Sequence, residues 1–437
     1  MTRKDYDRLM PVDQLRIAML SAHSCPVGKL GTKDTGGMSV YIRELACELG
    51  KLGHSVDIYT RVHDPNDREI YELGPNARLI HLKAGEDEEI HKLAVYSHLP
   101  DFVENLDIFR RSNNLRYDLI FSHYWLSGLA GMRLQRSWHV PHVTMFHTLG
   151  AVKNAIRDRA CAAPGEAEPA LRIEAERELV RSCDRIIAST EAGREELVGY
   201  YGASPAKISV VPCGVNLEQF RPVDRAQARL RMAQDYPGEC RLNGEKIALF
   251  VGRMDPLKGL DRLIEALPHL DDIARLRLVV IGGDEHNGGE IEQLRQLARD
   301  LNVQDAVDFL GLVKHERLPY YYSGADVCVV PSYYESFGLV ALESLACGTP
   351  VLATDVGNHR QVIREAETGY VIADNDPSRI AEKLTLLLSR PDADESVGRA
   401  VRRTVANFGW PTIAEAISND LRLVLANYAE NQADVQA

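Results

Sequence analysis

The chain has 437 residues, 45% hydrophobic and 26% charged, with a formal net charge of −12. That length exceeds one ordinary core and predicts two domains; the composition is that of a soluble globular protein, and the acidic balance argues against a broad nucleic-acid-binding face. Eight cysteines, at Cys25, Cys47, Cys161, Cys183, Cys213, Cys240, Cys328 and Cys347, form no CxxC pair and no zinc-like spacing, so reduced thiols in a cytoplasmic protein are expected.

In chain order, MTRKDYDRLMPVDQ is charged and lacks the apolar core of a secretory signal, and no later run approaches the roughly 18 apolar residues of a membrane span. LRIAMLSAH then reads as a buried strand. The loop GTKDTGGMSVY follows, its Gly36 and Gly37 free of side chains that would keep a ligand from the backbone, although it lacks the GxGxxG arrangement. VYIRELACELGKLG places Ile42, Leu45, Ala46 and Leu49 at helical spacing, and SVDIYTR supplies the next strand. FVENLDIFRRSNNLRY mixes apolar and basic residues near helical spacing and is expected as a core-facing helix rather than a membrane-surface one. GEAEPA and the closing AENQADVQA have the composition of mobile segments.

The proline- and glycine-bearing PCGVNLEQFRP, residues 212 to 222, marks a seam. Beyond it the alternation returns as IALFVGR, a helix through Leu260, Leu263, Ile264 and Leu267, then LRLVVIGG, VDFLG, VCVVPS and PVLAT. Strands alternating with helices predict parallel sheets covered on both faces, with ligands at the carboxyl ends of the strands. The expected division is 1–215, 216–407, and a final helix over 408–437 crossing back to the first domain.

ESFGLVALESLACGTPV is the most informative stretch, with Glu335 and Glu343 eight positions apart around a helix opening. At about 1.5 Å of rise per residue this is roughly 12 Å along a helix axis, comparable with the reach from a nucleotide's ribose across its diphosphate to a sugar. Ser336 is the expected N-cap, and the backbone amides of Phe337, Gly338 and Leu339 are candidate anion donors. Arg253 ends IALFVGR and Lys258 lies in DPLKG five residues later, two fixed cations suited to a diphosphate. Singly, each of these residues reads as ordinary surface charge; the combination points to a nucleotide-diphosphate ligand. The acidic DND at 374 to 376 reads as a turn before Pro377 rather than a metal site.

The strings GTKDTGGMSVYI, VDIYTR, SHYWLSG, HTLGAVKN, VGRMDPLKG and ESFGLVALE resemble the retaining glycosyltransferases of family 4, over nearly the whole chain. That resemblance implies an α/β GT-B fold: two facing Rossmann-like domains with parallel sheets and an interdomain cleft. Within the family, the nearest likeness is to the enzymes of mycothiol biosynthesis that join N-acetylglucosamine from UDP-GlcNAc to 1D-myo-inositol 3-phosphate. It implies a nucleotide-sugar co-substrate, a small phosphorylated acceptor and no cofactor or metal; nucleic acid is not an expected partner, and a homodimer is left open.

By the same resemblance, Glu343 holds the ribose, Glu335 contacts the transferred sugar, Arg253 and Lys258 neutralise the departing diphosphate, and His147 touches sugar hydroxyls. Lys92, Tyr124, Thr148 and Arg172 fall at the positions that hold the acceptor phosphate. The chain departs from the pattern at Ser39, where the inositol enzymes have asparagine, and at VGNHRQVI, where many relatives have VGG. Sucrose-phosphate synthases share the DTGG loop, which makes fructose 6-phosphate the alternative acceptor. A UDP-sugar epimerase, a phosphorylase lacking an assignable pyridoxal lysine, and a non-catalytic nucleotide-sugar-binding regulator are the rival classes.

Overall fold

A computed structural model describes residues 14–28, 36–88, 90–160, 167–235, 245–270, 275–283, 288–390 and 395–436. Most of the amino-terminal stretch, residues 31–35 of the glycine loop, residues 165–166 of GEAEPA, and Cys161 and Cys240 lie outside the described residues.

Two sheets organise the chain. The first contains β1 (Arg16–Leu20), β2 (Ser55–Arg61), β3 (Ile70–Gly74), β4 (Ala77–Leu82), β5 (Leu119–His123), β6 (His142–Met145), β7 (Arg185–Ala188) and β8 (Ile208–Val210), in the spatial order 3-4-2-1-5-6-7-8. Its pairings are parallel except β3 with β4. The second contains β9 (Lys246–Val251), β10 (Leu276–Ile281), β11 (Val307–Gly311), β12 (Val327–Val330), β13 (Val351–Thr354) and β14 (Gly369–Ile372), all parallel, in the order 11-10-9-12-13-14.

The strands read as continuous apolar runs because both faces of each sheet are covered. On one face of the first sheet lies helix α1 (Gly37–Lys51), whose Ile42, Leu45, Ala46 and Leu49 are all buried. Helix α2 (Leu99–Ser112) sends Phe102 and Leu106 into the core on the other face, so the mixed stretch there is a core-facing helix as its spacing suggested. That face packs under α3 (Tyr124–Trp138) around Trp125, Leu126 and Leu134.

Strand order reverses twice in ways that matter. In the first sheet β2 lies on one side of β1 and β5 on the other; in the second, β10 and β12 flank β9 in the same manner. Each reversal opens a crevice at the carboxyl ends of the strands. Gly36 and Gly37 follow β1, Tyr124 follows β5, Arg253 follows β9 and Glu335 follows β12, so the sequence-predicted residues gather at both switch points.

The closing helix α5 (Trp410–Gln436) packs against α1. Trp410 is buried edge-on to Tyr41, with ring centroids 5.4 Å apart. Ser418 bonds His54 at 2.7 Å and Asp420 accepts from Ser209 at 2.6 Å. The helix continues through Gln436, across residues whose composition suggested mobility. The DND segment acts as a helix start: Asp376 accepts from the amides of Ser378 and Arg379 and caps Pro377–Leu388. No helix among the described residues is long and apolar enough to cross a membrane.

Candidate active site

A cavity of about 350 Å³ lies between the two sheets. It is lined by Gly36, Gly37, Lys92, Tyr124, His147 and Thr148 from the first half and by Arg253, Lys258, Glu335 to Leu339 and Glu343 from the second. Of the candidate catalytic, donor-binding and acceptor-binding residues, Arg172 alone is missing from its wall.

On the second-sheet wall, the chain leaves β9 through Gly252 and Arg253, and the short turn Pro256–Lys258 is capped by Asp255, whose Oδ1 accepts from the Leu257 amide at 3.0 Å. Gly259 ends that turn at φ +68, and a Cβ there would lie 2.1 Å from the Pro331 carbonyl oxygen, so only glycine fits. The turn aims Lys258 at Glu335: Nζ donates to Oε1 at 2.7 Å, and Ser332 donates to the same oxygen at 2.8 Å. Burial alone would raise the Glu335 carboxyl, but the Lys258 ammonium and its hydrogen bond outweigh it and hold the group below the ordinary glutamate range. Arg253 stands beside Asp255, 3.4 Å away.

Glu335 lies ahead of the helix, as a cap at Ser336 would also place it, but the helix starts later than that cap implies. Helix α4 (Leu339–Ala346) begins four residues after Glu335, capped by Gly338 at φ +109 rather than by Ser336. A Cβ on Gly338 would press to 2.5 Å from His359 Nε2, which explains why the cap is a bare backbone. Ser336 instead uses its carbonyl to accept from Ser189 of the first domain at 2.7 Å. Phe337 is buried, and Leu339 and Val340 bring the helix's first amides, which lack intrahelical acceptors, to the cleft. The axial estimate for the two glutamates therefore rests on too long a helix.

Glu343 does lie on α4, at the floor of the cleft. Tyr322 donates to Oε2 at 2.8 Å and His315 Nε2 lies 3.2 Å from Oε1. These two residues were missed, because nothing in their local sequence signals a partner on another element. They fix the carboxylate while leaving it acceptor capacity for a diol.

The first-sheet wall carries unusual backbone. Tyr124 has φ +75 and His147 φ +59, left-handed conformations that are strained for such residues and that turn them toward the cleft from the ends of β5 and β6. His147 Nε2 meets His123 Nδ1 at 2.9 Å, and burial lowers His147 to about 3, so it is a neutral hydrogen-bonding group. Tyr124 stacks near His23 at 4.4 Å and lies beneath the Arg172 guanidinium, 4.8 Å from its ring centre.

Arg172 is 1% exposed and sits behind this wall. It pairs with Glu168 at 2.8 Å and Glu176 at 2.7 Å, and donates to Thr148 through both carbonyl and hydroxyl oxygens. It thus orients Thr148 and Tyr124 instead of lining the cavity. A further cation lining this wall, beside Lys92, is Lys153, paired with Glu168 at 2.6 Å and lowered by burial against the opposing pull of that carboxylate. Lys153 lies within HTLGAVKN, a string already singled out in the sequence, and its place there was the available signal.

The two walls approach closely. A Cβ on Gly37 would meet Leu339 at 3.2 Å, whereas one on Gly36 would make ordinary contact with Arg253 at 3.8 Å; crowding holds for Gly37 only. Ser39 turns inward, fully buried, its hydroxyl 2.6 Å from that of Ser24, and does not line the cleft. Asn358 and His359, the other departure, are buried behind Gly338, and neither side-chain amide atom of Asn358 has a hydrogen-bond partner. A second crevice of about 470 Å³ opens on the far side of His147 and Glu335, with Glu196 at its edge, pushed up by burial to about 7.

Residues 35–219 match the family described as Glycosyltransferase Family 4, and residues 237–404 match Glycosyl transferases group 1. A D-inositol 3-phosphate glycosyltransferase of Streptomyces bingchenggensis is 39% identical over 92% of this chain and 88% of its own length. One of the same name from Kineococcus radiotolerans is 38% identical over 96% and 98%. Among solved structures, a sucrose-phosphate synthase from Thermosynechococcus elongatus superposes with a TM-score of 0.84 at 33% identity, covering 95% of this chain and all of that one. Anabaena HepE in complex with UDP and glucose, at 15% identity and a TM-score of 0.70 over 93% of this chain and 99% of its own, shares the fold.

Proposed function

The chain belongs to the family 4, group 1 glycosyltransferases, and from that premise we propose that it transfers a hexosyl or N-acetylhexosaminyl unit, with retention, from a nucleotide-diphosphate sugar to 1D-myo-inositol 3-phosphate. The observation that carries the reading is the pairing of two unlike walls across one cleft. One bears Arg253, Lys258, Glu335 and Glu343; the other bears Lys92, Lys153, Tyr124 and Thr148.

Breaking the anomeric bond leaves negative charge on the diphosphate, and stabilising it is the main catalytic demand. Arg253, Lys258 and the first amides of α4 supply fixed positive ends there. Glu343, anchored by Tyr322 and His315, accepts from the ribose hydroxyls, and Glu335 accepts from hydroxyls of the sugar. The neutral His147 orients the sugar near its reacting carbon. No protein group is assigned as base: in the front-face route the donor's own phosphate oxygen takes the acceptor proton.

Opposite, a phosphate removed from water needs cations and donors, which Lys92, Lys153, Thr148 and Tyr124 provide while Arg172 holds the last two in place. Fructose 6-phosphate is the second reading, favoured by the likeness to sucrose-phosphate synthase. The test is a matrix of UDP-GlcNAc, UDP-glucose, ADP-glucose and GDP-mannose against inositol 3-phosphate, fructose 6-phosphate and the unphosphorylated acceptors. UDP release that requires inositol 3-phosphate is expected. Turnover only with a neutral sugar would overturn the acceptor assignment, and sugar isomerisation without acceptor would make the protein an epimerase.

A further inference from the structure

Outside the cleft, three potential ligand atoms converge from separate parts of the first domain. Cys25 follows β1, His63 follows β2 and His81 lies on β4; one ligand atom from each falls within 4.8 Å of the others. Cys25 Sγ and His81 Nε2 are 3.4 Å apart. In a tetrahedral zinc site, bonds of about 2.3 Å to sulfur and 2.0 Å to nitrogen place those two atoms about 3.5 Å apart.

The surroundings are those of a metal centre rather than of a lone cysteine. His81 Nδ1 lies 2.8 Å from the Arg68 carbonyl oxygen and donates to it, which fixes the tautomer and leaves the Nε2 lone pair facing Cys25. Neither ring nitrogen of the largely buried His63 makes a hydrogen bond of normal geometry, although the His23 backbone lies near enough to influence its basicity. Asp67 accepts from the amides of His63 and Asp64, both at 3.0 Å, and this anchoring presents its Oδ2 3.7 Å from His81 Nε2. Cys25 and His81 are 5% and 4% exposed, so the centre would be shielded from solvent.

We propose that Cys25, His63 and His81 bind a zinc-class divalent cation, with the Asp67 carboxylate beside them as fourth ligand or charge partner. The thiol loses its proton to solvent on binding, and thiolate plus carboxylate balance the dication. The role is structural: the ion ties the loop that leads into Gly36 and Gly37 to the ends of β2 and β4, and does not enter the transfer chemistry. It also departs from the expectation of no metal. The spacing Cys25, His63, His81 matches no zinc signature because the ligands meet only through sheet order.

The test uses the full, untagged chain. After incubation with zinc and dialysis against a weak chelator, metal analysis should find one equivalent. Cobalt(II) should give a near-ultraviolet thiolate-to-metal charge-transfer band. Cys25→Ser should abolish that band and cut retained metal at least about tenfold, while Cys47→Ser, which alters a thiol elsewhere, keeps both. Circular dichroism verifies folding of each variant. A wild-type chain that retains no zinc and gives no charge-transfer band, or a Cys25→Ser chain that keeps the band, would overturn the site.

Discussion

Lys258 and Glu335 hold each other at 2.7 Å, so the main cation of the cleft and its sugar-contacting carboxylate form one unit. An ammonium has three donors, and Lys258 can keep Glu335 while reaching a diphosphate. Lys258→Ala should therefore lower kcat by about 10² to 10³, the range for losing a preorganised charge partner, with the fold intact by circular dichroism. Glu335→Gln added to it should cost less than on its own, because the partner is already gone. Histidine ionisation sets a different dependence. His142 is fully buried and lowered by burial from 6.5 to about 3. Its unfolded form takes up a proton below pH 6.5 and the native form does not, so stability present above that pH is lost as pH falls toward 3, by up to about 1.4 kcal/mol per unit. Melting temperature should decline from pH 6.5 to 5, above the ordinary carboxylate range, and His142→Asn should reduce that slope by one group's share while other lowered histidines, among them His63 and His147, keep the rest. His147, lowered to about 3, should leave no inflection in the pH–rate profile over that interval.

At the level of elements, the turn Pro256–Lys258 and the start of α4 are set by glycines whose backbone no other residue supports. Gly259→Ala adds a left-handed penalty of about 1–2 kcal/mol to a collision with the Pro331 carbonyl. Chemical denaturation should show a loss of at least that size, together with reduced activity as Lys258 shifts. The second-half strands and the helix of α1 were readable, since apolar runs and 3.6-residue spacing are local properties. The beginning of α4 was not: Ser336 has the better capping chemistry, but packing against His359 and contact with Ser189 put Gly338 there instead. Lys153, His315 and Tyr322 escaped notice for a related reason, as their roles depend on partners far along the chain. Resemblance grouped Arg172 with Thr148 and Tyr124 as acceptor-phosphate residues, but its depth behind them comes from Glu168 and Glu176, a pairing that only the folded chain brings about.

Across the molecule, two sheets meet with their switch points facing, and the closing helix Trp410–Gln436 fastens the second half to the first through Trp410 and Tyr41. Trp410→Ala should cost about 3–5 kcal/mol on denaturant unfolding, because the buried ring packs directly on Gly214 and Tyr41. The central claim is that one wall of the shared cleft recognises an acceptor phosphate. Its most direct test compares kcat/KM for inositol 3-phosphate and for inositol with the same donor, in wild type and in Thr148→Val. A preference for the phosphate of at least about tenfold, as charge-assisted hydrogen bonds provide, that shrinks in the variant is the expected result. Equal kcat/KM for the two acceptors in the wild-type chain would contradict the account.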